Sequence, residues 1–398
     1  MNIGTMESKT SKTSKTSKTS NNSYVNMKTK NGLKMEFNLI NTNFSVANAL
    51  RRTILSDIPA VVFKTFPHNE NLTTIHKNTS RLNNEILRQR LECIPIHIKD
   101  LSINFDELQI ELNITNTTDT VLNVTTGDFK IKDLRSETYL TEEAIRSIFP
   151  ADPFTKDFII FCRLRPKISN DIPGEEISFT SKLSIHTALE SGGYNMSSMC
   201  AYAFTEDKVK QDDVWQKKLT SLTEEDKIPE NLEYIKRDWD NLEAKRIYKE
   251  DCFDFKLESV GVFSCYELVS KACEIIISKL NNLHDKAGEL NIPIEKSKST
   301  MPWSFDITLK NESYTIGKVI EYILNKKYFK ESNILKFVGF RQDHPHDTDS
   351  FIRISFNPDS SDAGEPSTEI FKTATYTLIQ EACKEGMEIF NEIAKEFN

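Results

Sequence analysis

The sequence predicts an α+β fold: two similar strand-and-helix modules that pair within one chain, plus a mostly β insert domain. Three observations predict it. Strand-type alternation followed by helical spacing occurs near the N-terminus and again near the C-terminus. A long apolar helical stripe closes each of these stretches. Between them lies a block of β-branched runs broken by Asn, Thr, Asp, Pro and Gly clusters. The expected division is a disordered Ser-Lys-Thr tail over 1–30 and a discontinuous first module over 31–100 and 250–287. An insert with a helical connector fills 101–249, a linker 288–300 and a second module 301–398.

The tail repeats Ser-Lys-Thr from Ser8 to Ser20 without one apolar residue, so it has nothing to bury against the entropy of ordering. Order is expected from Leu33. Leu33, Met35, Phe37 and Leu39 alternate with polar residues, the period of a strand with one wet face. Ser45 is a plausible N-cap, followed by Val46, Ala49, Leu50, Thr53 and Ile54 at helical spacing. Asp57-Ile58-Pro59 ends that helix, because the residue before Pro is pushed out of the α region. A strand over 60–66 and a short helix over 84–92, closed by Pro95, complete the unit.

Strands are expected over 108–114, 121–124, 158–164 and 177–185. Leu232, Ile235, Trp239 and Leu242 then recur three and four apart in a densely charged helical connector. Phe253, Phe255, Leu257 and Ser259 alternate as a strand. Ser264 and Glu267 have capping-box spacing ahead of Leu268, Ala272, Ile276 and Leu280 on a helix over 264–285. In the last block, strands over 305–309, 337–340 and 351–356 flank a helix over 316–324. A final helix over 367–397 carries Phe371, Leu378, Ala382, Ile389 and Ile393. At 1.5 Å per residue, a helix of roughly 30 residues is about 45 Å long, more than one small module needs for its own core. The two long helices are therefore expected to pair, with Ile276, Leu280, Leu378 and Ile389 inside and Leu50 and Ile54 contributing from the first helix.

Composition narrows the function. Gly is scarce, at 12 residues, and no Walker-type phosphate loop, H-E-x-x-H or G-x-S-x-G is present, so catalysis by the chain alone is not expected. The net charge of −8 is uneven: residues 1–30 carry +5 and the remainder −13, which counts against duplex nucleic acid as the main partner of the body. Seven scattered Cys without a CxxC pair indicate reduced thiols and no zinc site. No apolar run long enough for a membrane span occurs, nor a segment of signal-peptide type.

Several motifs then carry a family resemblance. The run FSVANALRRTILSDIPA over 44–60, NTSRLNNEILRQRLECIP over 78–95 and FDFKLESVG over 253–261 closely resemble the RNA polymerase alpha-like family, in its larger, third-subunit or archaeal D type. YTIGKVI over 314–320, FVGFR over 337–341 and His344-Pro345 resemble the smaller partner, archaeal L or the eleventh-subunit type. Both in one chain, with Asp238-Trp239 and Ala244–Ile247 before the return strand, resemble the fused subunit of large cytoplasmic DNA viruses, particularly giant viruses.

The resemblance implies a non-catalytic assembly platform of a multisubunit DNA-directed RNA polymerase. Such a platform pairs its two modules through long helices and holds the two largest catalytic subunits. It implies small polymerase subunits as further partners and DNA contact only through the assembled enzyme; no membrane is expected from the lack of a long apolar run, and no cofactor or metal from the scattered Cys. It places the protein in the host cytoplasm, at the viral factory, and in the virion. Arg51 and Arg52, with Arg88 and Arg90, become candidate contacts to a large subunit; the plain alternative for Arg51 and Arg52 is a solvated helix face. Ser191–Tyr194 falls where the family carries a Gly-containing partner loop but lacks the family's basic residues, so an ordinary turn is favoured. Relatives with clustered Cys bind zinc or iron–sulfur in the middle domain; only Cys162 and Cys200 are available here. For His344-Pro-His346-Asp347 a structural turn is preferred to a metal site. A free-standing nucleic-acid-binding factor using the basic tail is the competing reading.

Overall fold

A computed structural model describes residues 24–169, 173–224, 227–357 and 368–398. Its helices are α1 (Phe44–Ser56), α2 (Asn84–Glu92), α3 (Glu142–Ile148), α4 (Lys208–Ser221), α5 (Pro229–Asn241), α6 (Cys265–Gly288), α7 (Tyr314–Leu324) and α8 (Thr368–Lys395). The class is α+β.

Two four-stranded antiparallel sheets anchor the two ends of the chain. The first has the order Val25–Asn31, Lys34–Leu39, Tyr248–Ser259, Ser197–Glu206. Its centre is aromatic: Phe37 and Phe255 face each other in register and stack at 4.9 Å. The second has the order Ile294–Lys296, Ser304–Leu309, Ser350–Phe356, Leu335–Arg341. Helices α1, α6, α7 and α8 form the seam between them, and one continuous apolar cluster runs through both sheets and all four helices. The halves have no separate cores.

Local chemistry explains the helix ends. Asn43 caps α1 by accepting the Ser45 N–H at 2.9 Å, so the cap lies two residues before the expected Ser45, which is buried in the first turn. Asp57 is its C-cap, ahead of Ile58-Pro59. The capping box of α6 is present: the Glu267 N–H donates to Ser264 Oγ, and the Ser264 N–H donates to Glu267 Oε2 at 2.7 Å. On the N-terminal side of α7, Gly317 lies under the Phe340 ring, where a Cβ would come within 2.0 Å of a ring carbon.

Antiparallel packing of α6 on α8 follows from four contacts. Tyr266 faces Phe397, Ser270 Oγ donates to Asn398 Oδ1 at 2.8 Å, Leu280 lies against Gly386, and Gly288 lies against Gln380. From Tyr266 through Leu280 to Gly288, the facing residues run back from Phe397 through Gly386 to Gln380. Small residues let the axes approach. A Cβ on Gly386 would sit 3.0 Å from Leu280 Cδ1 and 3.4 Å from Ile323 Cδ1, so α8 is pressed against both α6 and α7 there. Two substitutions at this point are expected to part ways. Gly386→Ala gains about 1 kcal/mol of helix propensity, which offsets the tight contact with one flexible Leu methyl. Gly386→Leu overfills the same gap and should cost about 1–3 kcal/mol. Urea melts of the two variants check this; equal midpoints would refute the close approach.

Several boundaries differ from expectation. A strand covers Val25–Asn31 inside the expected tail, pairing with Lys34–Leu39 across Gly32-Leu33. The repeat itself, Ser8–Ser20, lies outside the described residues, as do Pro366 and Ser367 at the start of the last helix. Ser197–Glu206, assigned to the insert, is instead an edge of the first sheet, because its backbone pairs with Tyr248–Ser259. Conversely Thr73–Asn78 pairs with Glu176–Lys182, and Val61, Phe63, Leu87 and Leu91 belong to the insert's core, so the insert begins well before residue 101. The linker over 288–300 contains the strand Ile294–Lys296.

The insert has its own core around Phe129, where rings of Phe63, Phe149, Phe161 and Phe179 meet it at 5.5–6.4 Å. Its main sheet has five strands, in the order Thr73–Asn78, Glu176–Lys182, Leu108–Thr115, Lys130–Asp133, Thr138–Tyr139. The connector is a helical hairpin, α4 with α5. It is held by Trp215 against Trp239 at 5.8 Å, with Lys236 over the Trp215 ring and Lys218 over the Trp239 ring.

Candidate functional site

The seam is built from helix faces that the sequence makes apolar. On α1 Leu50 and Ile54, on α6 Leu268, Ala272, Ile276 and Leu280, and on α8 Ala382 and Ile393 are all within 1% of complete burial. Leu378 is also buried. Two of the expected pairing residues do something else. Ile389 is only half-buried and lines an outer groove, because the buried stripe of α8 runs through Gly386, Phe390 and Ile393 and leaves 389 on its shoulder. Phe371 is buried among Trp303, Phe305 and Phe356, so it packs on the second sheet's side of the shared core.

Further residues complete the seam. Phe390 is fully buried, and Phe397 carries the end of α8 onto the first sheet, edge-on to Phe37 at 5.1 Å. Cys273 and Cys383 are buried small residues of α6 and α8. Burial pushes both thiols up, Cys383 to about 12, so they act as packing groups and not as nucleophiles. The signal was available: Cys273 follows Leu268-Val269 at helical spacing, and Cys383 stands four before Met387.

Polar contacts cross the seam at one end. Arg52 Nε donates to Thr315 Oγ1 at 2.9 Å, joining α1 to α7. Arg52 is half-buried, and this bond commits its Nε inside the chain. Lys279 of α6 bonds Asp57 Oδ2 at 2.5 Å, and Glu312, just before α7, lies in the same cluster. Burial pushes the Glu312 carboxyl up; Lys279 opposes this, Asp57 adds to it, and Lys286 opposes it. An acid raised in the folded state contributes stability that is complete below its unfolded value and lost as pH rises through the folded one. Glu312→Gln is therefore expected to raise the urea midpoint at pH 7.5 and to leave it nearly unchanged near pH 4. A lower midpoint at pH 7.5 would show that the Lys279 attraction outweighs burial.

The other arginines divide between the cores. Arg51 is half-buried and held by Asn48, whose Oδ1 accepts from its Nε at 3.1 Å and Nη2 at 2.9 Å. Arg90 is exposed, and its Nη2 donates to the Ile160 carbonyl at 2.8 Å, tying α2 to the insert. Arg88 is half-buried with its Nε unpaired.

The loop Ser191–Tyr194 is not a free turn. Tyr194 is buried, and its hydroxyl donates to Glu92 Oε1 at 3.3 Å; burial and then the Glu92 charge push its phenol up. Glu92 also accepts from the Thr65 hydroxyl at 2.7 Å and the Thr65 N–H at 3.3 Å. This carboxylate, missed in the sequence, joins α2, the chain after Ala60–Val62 and the loop before Ser197 where the two large cores meet.

Metal chemistry finds no cluster of three or more His, Cys, Asp or Glu among the described residues. Cys162 lies in the insert core and Cys200 in the shared core, and burial pushes each to about 12. His344 and His346 form a turn, the His346 N–H donating to His344 Nδ1 and the His344 N–H to Asp347. No described helix is long and apolar enough to cross a membrane.

What remains is a buried helix seam flanked by sheets. Comparison with known families agrees: the RNA polymerase Rpb3/Rpb11 dimerisation domain matches residues 36–280. The chain belongs to that family. The match takes in α1 and the first two-thirds of α6 and ends before α7 and α8. Among curated relatives of this Rpb3/Rpb11-type chain, subunit 3B of DNA-directed RNA polymerases IV and V from Arabidopsis thaliana is 23% identical over 311 residues. That covers 64% of this chain and 91% of the relative. A conjugation stage-specific protein of Tetrahymena thermophila is 23% identical over 309 residues, 64% of this chain and 92% of that protein. Fission yeast RNA polymerase II subunit RPB3 is 40% identical over 73 residues, 18% of this chain and 21% of the relative. Kinship with polymerase subunits and a dimerisation domain supports a role in subunit assembly.

Proposed function

We propose that the chain is a single-chain assembly platform of a DNA-directed RNA polymerase. A third-subunit-type module (α1, α6 and the first sheet) pairs with an eleventh-subunit-type module (α7, α8 and the second sheet), and together they hold the two largest catalytic subunits. The observation that carries this reading is the antiparallel packing of α6 on α8 in one core shared by both sheets. Joining the modules makes their association intramolecular, at an effective concentration of order millimolar, so pairing no longer depends on cellular levels. Small polymerase subunits add to the platform, and DNA is reached through the assembled enzyme.

The fused order of motifs further favours a large cytoplasmic DNA virus as the source, with the protein at the viral factory and in the virion. Affinity purification of the tagged chain from infected cells tests the whole reading. Both largest subunits should co-purify in equal amounts, without a separate eleventh-subunit-type partner. Recovery of neither large subunit, or of a separate small partner in equal amount, would overturn it. Steeply salt-sensitive duplex binding by the chain alone would instead favour the free-standing nucleic-acid factor.

A further inference from the structure

The insert's main sheet is incomplete on one side. Its central strand pairs with Glu176–Lys182 from Gln109 to Thr115, but with Lys130–Asp133 only from Leu108 to Glu111. Among the described residues no strand lies beside Leu112–Thr115 on that second side. A cleft of about 640 Å³ opens there, lined by Asn113 and Ile114 of the unpaired stretch, by Thr126 and Gly127 of the turn before Lys130–Asp133, and by Phe129 and Phe158.

Three features define what the cleft can hold. The first is backbone: a strand edge without a neighbour offers N–H and C=O groups to an extended chain, and four residues span about 13 Å. The second is aromatic. Phe129 is buried, and the half-buried Phe158 ring lies over Gly127, where a Cβ would come within 2.8 Å of a ring carbon. The third is a single hydroxyl. Thr126 is 1% exposed, and its Oγ1 has no hydrogen-bond partner among the described residues. A buried hydroxyl left unpaired is a standing penalty that an incoming polar group relieves. Charge is not the recognition element, because the rim is already satisfied within the chain. Glu111 accepts the Tyr139 hydroxyl at 2.8 Å, Asp128 accepts the Thr125 N–H at 2.8 Å, and Glu142 pairs with Arg146 at 3.1 Å.

We propose that this cleft docks an extended, uncharged segment of a partner protein. The segment adds to Leu112–Thr115 as a short strand and places one tyrosine ring against the aromatic lining, with its hydroxyl on Thr126 Oγ1. Phe158, the ring seated over Gly127, is the side chain that yields to admit it. The site lies in the insert, whose core is separate from the helix seam, so it stands independently of the platform role.

Anisotropy of a fluorescein-labelled Thr-Val-Tyr-Val-Thr amide, titrated with the full chain, tests it. Binding should saturate, weaken about tenfold with Ala in place of Tyr, and weaken about fivefold with Phe. Strand addition uses every other amide, so methylating both Val amides and methylating the Tyr amide should have opposite effects, one abolishing binding and the other leaving it. With Thr126→Val the Tyr and Phe peptides should bind alike. The urea midpoint of that variant should not fall, since no hydrogen bond within the chain is lost. Failure to saturate would overturn the proposal. So would equal affinity for the Tyr and Ala peptides, tolerance of both methylations, or a Tyr preference that survives Thr126→Val. Competition by N-acetyl-tyrosinamide as strong as by the peptide would also overturn it, marking a small aromatic pocket without strand pairing.

Discussion

Ile276→Asp is expected to cost about 4–6 kcal/mol, from loss of the buried side chain and the desolvation of a carboxyl with no partner. Ile276 is fully buried on α6, in the cluster that runs from one sheet to the other. Neither relief available to surface sites applies: no water reaches it, and α8 closes over α6 along its length. A loss of that size approaches the whole stability of an ordinary domain, so the seam should open and both four-stranded sheets lose their shared core. The insert, with a separate core, should melt as its own transition, which makes the readout specific. Ile276→Val, which removes one methylene, should cost only about 1 kcal/mol. Thermal melts followed by near-ultraviolet circular dichroism check this; a parental midpoint for the Asp variant would refute the seam.

Glu92→Leu is expected to be the second most damaging change, at about 3 kcal/mol, although it puts an apolar residue into a buried site. The carboxylate meets three donors: the Thr65 N–H, the Thr65 hydroxyl and the Tyr194 hydroxyl. Leucine leaves all three unmet, and each buried orphan costs about 1–3 kcal/mol, against roughly 2 kcal/mol gained from the apolar side chain. Glu92→Gln keeps the accepting oxygen and should lose far less. Urea denaturation of both variants decides between polar pairing and simple filling; a Leu variant at least as stable as the parent would remove Glu92 from the junction. The Tyr194 loop should also become more protease-sensitive in the Leu variant, since the hydroxyl bond to Glu92 is what holds the loop against α2.

The elements that were legible share one property: their signal is local. Alternation at Phe253, Phe255 and Leu257 marks a strand whichever neighbours it finds, and Ser264 with Glu267 marks a helix start within four residues. The strand Ser197–Glu206 was not legible because its alternation is weak; what makes it a strand is the partner at Tyr248–Ser259. The same holds for Val25–Asn31, which is ordered by its pairing with Lys34–Leu39. Of the candidate site residues, those placed by helical period fell in the core, while Ile389 missed by one position, about 100° of helix rotation. Side chains whose role depends on what lies opposite, such as Arg52 on Thr315 and Glu92 on Tyr194, had no local signal at all.

The amino-acid order alone thus determined the α+β class, the kinship with RNA polymerase subunits and the two long apolar helices, since periodicity and motif order are properties of the chain itself. Only the tertiary structure decided that α6 and α8 run antiparallel in one core, and that the insert gains Thr73–Asn78 while Ser197–Glu206 passes to the first sheet. It also decided which charged heads are used inside the chain. The physical reason is that burial and pairing are properties of two surfaces at once, and one stretch of sequence describes only one of them.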